Sequence, residues 1–257
     1  MVQQITKGGS RDIFLPPDKN LPLVSIIIAT MNAGNYIDGC LKSIISQEFK
    51  NIQLLIFDGQ SNDNTVNILK QYDQYISYWQ SEPDQGIYDA MNKAVTFSKG
   101  DWVLFLGSDD RLVDGFSQLC KNLQNKDTLY YGDCEVDQTT KLGGEFRSYK
   151  LAKMNICHQA IFYPAGIFKK YLYPIQYRVF GDYLLNMQCW GDRSIIKKYV
   201  PRCIAIYDMN GFSSNTEDDL FKKDKPLLIK KYLGQLTYLR YLIRKWKESK
   251  KPGSKFF

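Results

Sequence analysis

The stretch Trp102-Val103-Leu104-Phe105-Leu106-Gly107-Ser108-Asp109-Asp110 carries the clearest architectural signal in this chain. Its continuous apolar run predicts a short strand buried on both faces, as in a parallel sheet covered by helices. Two carboxylates follow at once. An acidic pair at the carboxyl end of such a strand faces the crevice where ligands of open α/β sheets bind. It is also a hard oxygen site, suited to Mg²⁺ or Mn²⁺ together with a phosphate. The same pair reads equally as a surface turn in which an Asp caps the next helix.

Upstream, the pattern repeats. Leu23 to Ala29 and Ile52 to Phe57 are further buried strands, and Tyr75 to Trp79 is a shorter third one. Between them, apolar residues at helical spacing predict helices over Tyr36 to Gln47, from Asn62 or Asp63 to about Tyr72, and over Gly86 to Ser98. Strands alternating with helices imply βαβ units, hence an α/β fold with a mainly parallel central sheet and flanking helices. Each strand ends in polar or acidic residues: Thr30 and Asn32, then Asp58, then Glu82 and Asp84, then Asp109 and Asp110. Four strand tips thus supply one polar rim, the layout of a nucleotide crevice. Downstream, a helix is expected over Phe116 to Leu123 and another over Tyr183 to Trp190. Thr128 to Tyr131, Gly143 to Tyr149, Ala160 to Tyr163, Ile195 to Tyr199 and Cys203 to Tyr207 read as strands.

A chain of 257 residues, 44% hydrophobic, suffices for one sizeable domain and an appendage. No run approaches the roughly 18 apolar residues of a spanning helix. Residues 1–20 read as a loose leader without the apolar core of a secretory signal. Six cysteines without a C-x-x-C pair point to reduced thiols in the cytoplasm, and argue against a disulfide framework or a zinc site. The net charge of +7 is unevenly placed. From Lys222 onward twelve Lys and Arg face two acids, a balance of +10, which leaves the body at −3. Such asymmetry calls for an anionic partner, a membrane surface or nucleic acid.

The order of motifs carries a resemblance. Val24-Ser25-Ile26-Ile27-Ile28-Ala29-Thr30-Met31-Asn32, with Tyr36, Leu41, Ser43, Ile44 and Gln47, resembles the opening of family 2 glycosyltransferases of the GT-A fold. Asp58-Gly59-Gln60-Ser61-Asn62-Asp63-Asn64-Thr65 resembles that family's second-strand motif. The run from Ser81 to Ala94 (SEPDQGIYDAMNKA), then Gly100-Asp101, is similar to a bacterial exopolysaccharide subgroup of the colanic-acid type. The likeness covers roughly Leu23 to Gly211. It implies an inverting transfer from a nucleotide-diphospho sugar, most naturally a UDP-sugar, to a lipid-linked or oligosaccharide acceptor in surface polysaccharide synthesis. By the resemblance, Thr30 and Asp58 contact base and ribose, with Asn32 beside them. Ser108-Asp109-Asp110 occupies the D-x-D position without its first acid. Asp110 is implied to ligate Mn²⁺ or Mg²⁺, and Asp109 to contact ribose or metal-bound water. Asp84 and Gln85 lie in a loop implied to line the donor-sugar pocket. An H-Q pair near the site matches His158-Gln159, where His158 reads as an acceptor or diphosphate contact or as a structural histidine. Asp58 also reads as a turn residue holding Gly59 to Ser61. Inversion needs a base opposite the leaving group. Phe180-Gly181-Asp182-Tyr183-Leu184-Leu185 resembles the family's position for it, so Asp182 is the catalytic candidate; Gly-Asp before an apolar helix is equally an N-cap.

The expected organisation is a leader over 1–20, a nucleotide-binding half over 21–112, an acceptor half over 113–221 and a basic tail over 222–257. In the tail, Ile229, Tyr232, Leu233, Leu236, Leu239, Ile243 and Trp246 recur at helical spacing among Lys and Arg. That pattern is a basic amphipathic helix, suited to an anionic membrane leaflet, here the inner face of the plasma membrane, rather than to nucleic acid. It also describes an ordinary helix packed on a core. Two other functions compete. A sugar-1-phosphate nucleotidyltransferase needs a Gly-rich basic loop after the first strand, which Met31 to Asn35 lacks. A non-catalytic membrane- or nucleic-acid-binding module would rest on the tail alone.

Overall fold

The computed structural model describes residues 5–10, 18–136, 140–208 and 216–251. Pro16-Pro17 of the leader, the end of the family-like region at Gly211 and residues 252–257 of the tail lie outside them. The described elements, in chain order, are β1 (Thr6–Gly8), β2 (Val24–Thr30), α1 (Ile37–Ile45), β3 (Ile52–Asp58), α2 (Thr65–Gln71), β4 (Tyr78–Ser81), α3 (Ile87–Val95), β5 (Trp102–Phe105), β6 (Arg111–Leu112), α4 (Asp114–Cys120), β7 (Thr128–Val136), β8 (Thr140–Leu142), α5 (Ser148–Lys153), β9 (Ile161–Pro164), α6 (Gly181–Gly191), β10 (Ile196–Tyr207), α7 (Asp219–Leu228) and α8 (Gln235–Ser249).

The strands form a single sheet in the order β1-β4-β3-β2-β5-β9-β7-β10-β6, with β8 beside β7. The β4-β3-β2-β5 segment is parallel, as the buried strands require. Successive side chains on a strand point to opposite faces. Hence Val24, Ile26 and Ile28 pack on one side with α1, α2 and α4, while Ile27 and Ala29 pack on the other with α3 and α6. Full burial of each such Ile contributes roughly 1.5–3 kcal/mol.

Strand direction decides what meets at the β5 tip. β9 runs antiparallel to β5 and to β7, so the chain just before it, His158 to Ala160, arrives beside that tip. β10 runs parallel to β7, so its carboxyl end, Tyr207, reaches the same edge.

Several local expectations shift. The third strand is Tyr78–Ser81, and a 3₁₀ turn at Asp73–Tyr75 precedes it. Gly143 to Tyr149 is not a strand. The chain there is irregular and enters α5, because β8 has already paired with β7 and Lys150 ties back to the Gly143 carbonyl at 2.6 Å. The two strands expected around Val200 are one, β10, whose register slips between Tyr199 and Ala205. The leader is not wholly loose, since Thr6 to Gly8 adds antiparallel to the edge of β4. The continuous tail helix divides. α7 runs into a π-helical segment, Ile229–Leu233, and Gly234 at φ 89° breaks the chain before α8. Only glycine takes that φ at little cost.

Candidate active site

The carboxyl ends of β2 and β5, the β4–α3 loop, the approach to β9 and the start of α6 surround one cavity of about 690 Å³. Small-ligand sites typically span about 300–1,000 Å³. Of the residues expected to form the site, Thr30, Asn32, Asp84, Asp109, Asp110, His158 and Asp182 line it. Asp58 and Gln85 do not.

Asp58 is buried, and its oxygens are engaged. It accepts from the Ser61 amide at 2.9 Å, from the Ser61 hydroxyl and from the Ser81 hydroxyl at 2.6 Å. It therefore holds the turn after β3, as its alternative reading had it. That turn still bears on the site: a Cβ on Gly59 would stand 2.7 Å from an Asp84 oxygen, so a larger residue there would displace the Asp84 carboxylate. Gln85 is exposed and gives its backbone amide to Asp89 at 3.0 Å. Asn32, left-handed at φ 53°, ties the loop after β2 to the loop after β3 by accepting from the Asn62 amide at 3.0 Å. Thr30 is different. Its hydroxyl is buried and has no hydrogen-bond partner among the described residues. Such a group costs about 1–3 kcal/mol unless something satisfies it.

The acidic pair divides its labour. Asp110 is 2% exposed. One of its oxygens accepts from the Gly107 amide at 3.1 Å and the Gln159 amide group at 2.8 Å, and the other from the Asp208 backbone at 3.0 Å. Three of its roughly four lone-pair sites are thus taken. Asp110 ties the tip of β5 to the approach of β9 and the end of β10. Asp109 is the more exposed of the two. Burial pushes the Asp110 carboxyl up to about 6, with the Asp109 charge adding to it. Burial, then the Asp208 carboxylate, also raises Asp109. Among the described residues no group of three or more His, Cys, Asp or Glu is placed to hold a metal ion. A hard cation here would therefore draw most of its ligands from a diphosphate and water, which is how Mg²⁺ is ordinarily bound.

Asp182 does not cap α6. It lies inside the first turn and Phe180 is the N-cap. Its Oδ1 accepts from the Tyr183 amide at 2.8 Å and faces the Tyr88 hydroxyl at 3.3 Å. Its Oδ2 accepts from Asn155 at 2.6 Å and stands 3.5 Å from Nδ1 of His158. Burial works against a charged His158, yet the Asp182 carboxylate outweighs it and raises the pKa above the usual histidine value. Asn155, Tyr88, Arg178 and Tyr207 are among the other residues that line the cavity. None was assigned a role from sequence. Tyr88 sits in a quoted motif, whereas Asn155 lies in a loop with no local signature.

A model of the family described as glycosyl transferase family 2 matches residues 25–187. The chain belongs to this family. It is a glycosyltransferase, which sets aside the nucleotidyltransferase and the non-catalytic module. A PGL/p-HBAD biosynthesis glycosyltransferase of Mycobacterium tuberculosis is 35% identical over 236 residues, 88% of this chain and 91% of that protein. An uncharacterized glycosyltransferase of the same organism is 27% identical over 76% of this chain and 79% of its own length. Among solved structures, S. aureus TarS 1–349 in complex with UDP-GlcNAc superposes with a TM-score of 0.65 at 15% identity, over 88% of this chain and 72% of that one. The chain spans 43% of the longer TarS chain. A Pyrobaculum calidifontis mannosyltransferase in complex with GDP-Man and Mn²⁺ superposes at 0.58 with 13% identity, over 90% of this chain and 66% of that one. These likenesses show the GT-A fold, a mixed α/β sheet with flanking helices.

Proposed function

We propose that this glycosyltransferase moves a sugar, with inversion, from a UDP-sugar to a lipid-linked or oligosaccharide acceptor of bacterial surface polysaccharide. The observation that carries the reading is the cavity itself: Thr30, whose buried hydroxyl is unsatisfied, Asp109 and Asp182 all line it. Thr30 meets the nucleoside. Asp109, rather than Asp110, contacts the Mn²⁺ or Mg²⁺ that, when bound, neutralises the charge developing on the leaving diphosphate. Asp110 keeps the surrounding loops in place, and His158, close to both acids, faces the same diphosphate. Asp182 accepts the proton of the acceptor hydroxyl as that oxygen attacks the anomeric carbon. Asp84 and Gln85 shape the mouth on the sugar side, and Asp58 acts through the turn it holds.

A thermal-shift series with UDP-, GDP- and dTDP-sugars tests the donor. A ligand present at about 100 times its Kd adds about 2.7 kcal/mol, which for a chain of this size raises Tm by roughly 5–10 °C. UDP-sugars with Mn²⁺ are expected to give that rise. A larger rise with GDP-sugars would reassign the base, and no rise with any of them would contradict the site.

The tail supports an acceptor held at the inner face of the plasma membrane. Its apolar residues part company: Ile229, Leu233 and Tyr241 pack into the core, while Leu236 (80% exposed), Leu239, Ile243 and Trp246 (59%) line the open side of α8. Arg240, Lys247 and Lys250 are exposed nearby. No helix among the described residues is long and apolar enough to cross a membrane. An apolar stripe with basic neighbours suits the anionic leaflet. Vesicles with anionic lipid should sediment the protein and neutral ones should not. Ile243→Asp with Trp246→Glu is expected to weaken binding at least tenfold, since each buried side chain is worth about 1.5–3 kcal/mol. Equal binding to both vesicle types would refute the electrostatic part, and unaltered binding by the variant would refute the insertion.

A further inference from the structure

Behind Asp182 runs a chain of side-chain amides that the proposed chemistry has not yet used. The Tyr163 hydroxyl donates to Asn186 Oδ1 at 2.6 Å. Asn186 Nδ2 donates to Asn155 Oδ1 at 2.8 Å. Asn155 Nδ2 donates to Asp182 Oδ2 at 2.6 Å. Asn186 is 1% exposed and sits on α6 one helical turn after Asp182. Asn155 belongs to a different segment, the loop after α5, and lines the cavity.

The direction of this relay is decided by one backbone group. The Ile156 amide donates to Asn155 Oδ1 at 3.0 Å. An N–H can only donate, so the oxygen of Asn155 must face it, and the NH₂ group must face Asp182. Asn186 must then turn its NH₂ group to the same oxygen, which leaves its own Oδ1 to accept from the Tyr163 hydroxyl. The Asn155 amide therefore has one orientation, with its donor aimed at the carboxylate oxygen that also faces His158. Oδ1 of Asp182 is held independently, by the Tyr183 amide of its own helix.

Resting on the assignment of Asp182 as base, we propose that Asn155 is a positioning residue for it. It holds Oδ2 in the plane that presents the carboxylate to the acceptor hydroxyl, and Asn186 and Tyr163 hold Asn155. The rigid clamp matters because an acceptor proton is transferred only over hydrogen-bond distance, and small displacements of a base cost large factors in rate. With the nucleoside assigned to Thr30 and the metal to Asp109, at the tips of β2 and β5, donor affinity is expected to depend little on this relay.

The test uses hydrolysis of UDP-sugar, in which water takes the place of the unidentified acceptor, together with calorimetric donor affinity. Asn155→Ala is expected to lower kcat about 30-fold while donor Kd stays within twofold. Asn155→Asp keeps the volume and the acceptor for Ile156 but turns a like charge toward Asp182. It is expected to lower kcat at least as far, and it serves if the alanine variant does not fold. The deciding comparison is a double-mutant cycle. In an Asp182→Asn background, Asn155→Ala is expected to cost less than a further twofold, because the group it positions is already gone. A kcat within twofold of the native enzyme in both Asn155 variants would overturn the proposal. So would a 30-fold loss that persists in the Asp182→Asn background, which would make Asn155 a structural support for the whole cavity. Native turnover in Asp182→Asn alone would instead remove the base assignment, and this role with it.

Discussion

Asp182→Asn is expected to lower turnover about a thousandfold while leaving UDP-sugar affinity within twofold of the native enzyme. The magnitude follows from general-base catalysis, which contributes roughly 10²–10⁴; a thousandfold is about 4 kcal/mol of lost transition-state stabilisation. The selectivity follows from geometry. Asp182 is anchored by the Tyr183 amide and Asn155, on the α6 side of the cavity, whereas Thr30 and Asp109, assigned to the nucleoside and the metal, lie at the tips of β2 and β5. A base is needed when the acceptor proton moves and contributes little to the bound ground state, so the loss belongs in kcat. Steady-state kinetics with calorimetric donor binding reads both quantities. A rise in donor Kd that accounts for the whole effect would show that Asp182 binds substrate and does not act as base.

The second large effect separates two neighbouring acids. Asp109→Ala is expected to abolish the Mn²⁺-dependent gain in UDP affinity, a loss of about a hundredfold, with little change in Tm. Asp110→Asn should do the reverse. Both Asp110 oxygens receive donors, Gly107 and Gln159 on one side and Asp208 on the other. Whichever way an asparagine is turned, its NH₂ group meets a donor, and the clash costs about 1–3 kcal/mol. For a chain of this size Tm should fall by roughly 3–10 °C, while the metal-dependent gain survives wherever the protein is folded. Calorimetry of UDP with and without Mn²⁺, beside a melting curve, distinguishes the cases. Loss of the metal effect in Asp110→Asn at unchanged Tm would return the metal contact to Asp110, as the motif alone implied.

The contrast between these two residues shows how far the sequence carries. That β2, β3 and β5 are buried parallel strands is legible because their apolar runs are continuous, and the polar residues at their tips then fall on one edge of the sheet. Sequence order also marks Asp109 and Asp110 as special. It cannot say which of them has its oxygens engaged by protein donors, because that depends on Gln159 and Asp208, which lie 49 and 98 residues beyond Asp110. Asp58 illustrates the same limit. Its place at a strand tip is correct, but Ser61 and Ser81 claim its oxygens. Asn155 was invisible for a different reason: a lone asparagine in a loop acquires meaning only when α6 places Asp182 and Asn186 on either side of it. In the tail, the apolar period was legible, but which half of the stripe would be buried was set by packing against α5 and α6. Gly234 was the available warning that one helix would become two.

The most direct measurement is an anomalous difference map, at the manganese edge, from crystals soaked in UDP and Mn²⁺. A single peak is expected in the cavity within bonding distance of an Asp109 oxygen, with the diphosphate on the far side of the ion and uridine beside Thr30. A cavity without metal and nucleotide under saturating soak, or an ion bound away from Asp109, would contradict it.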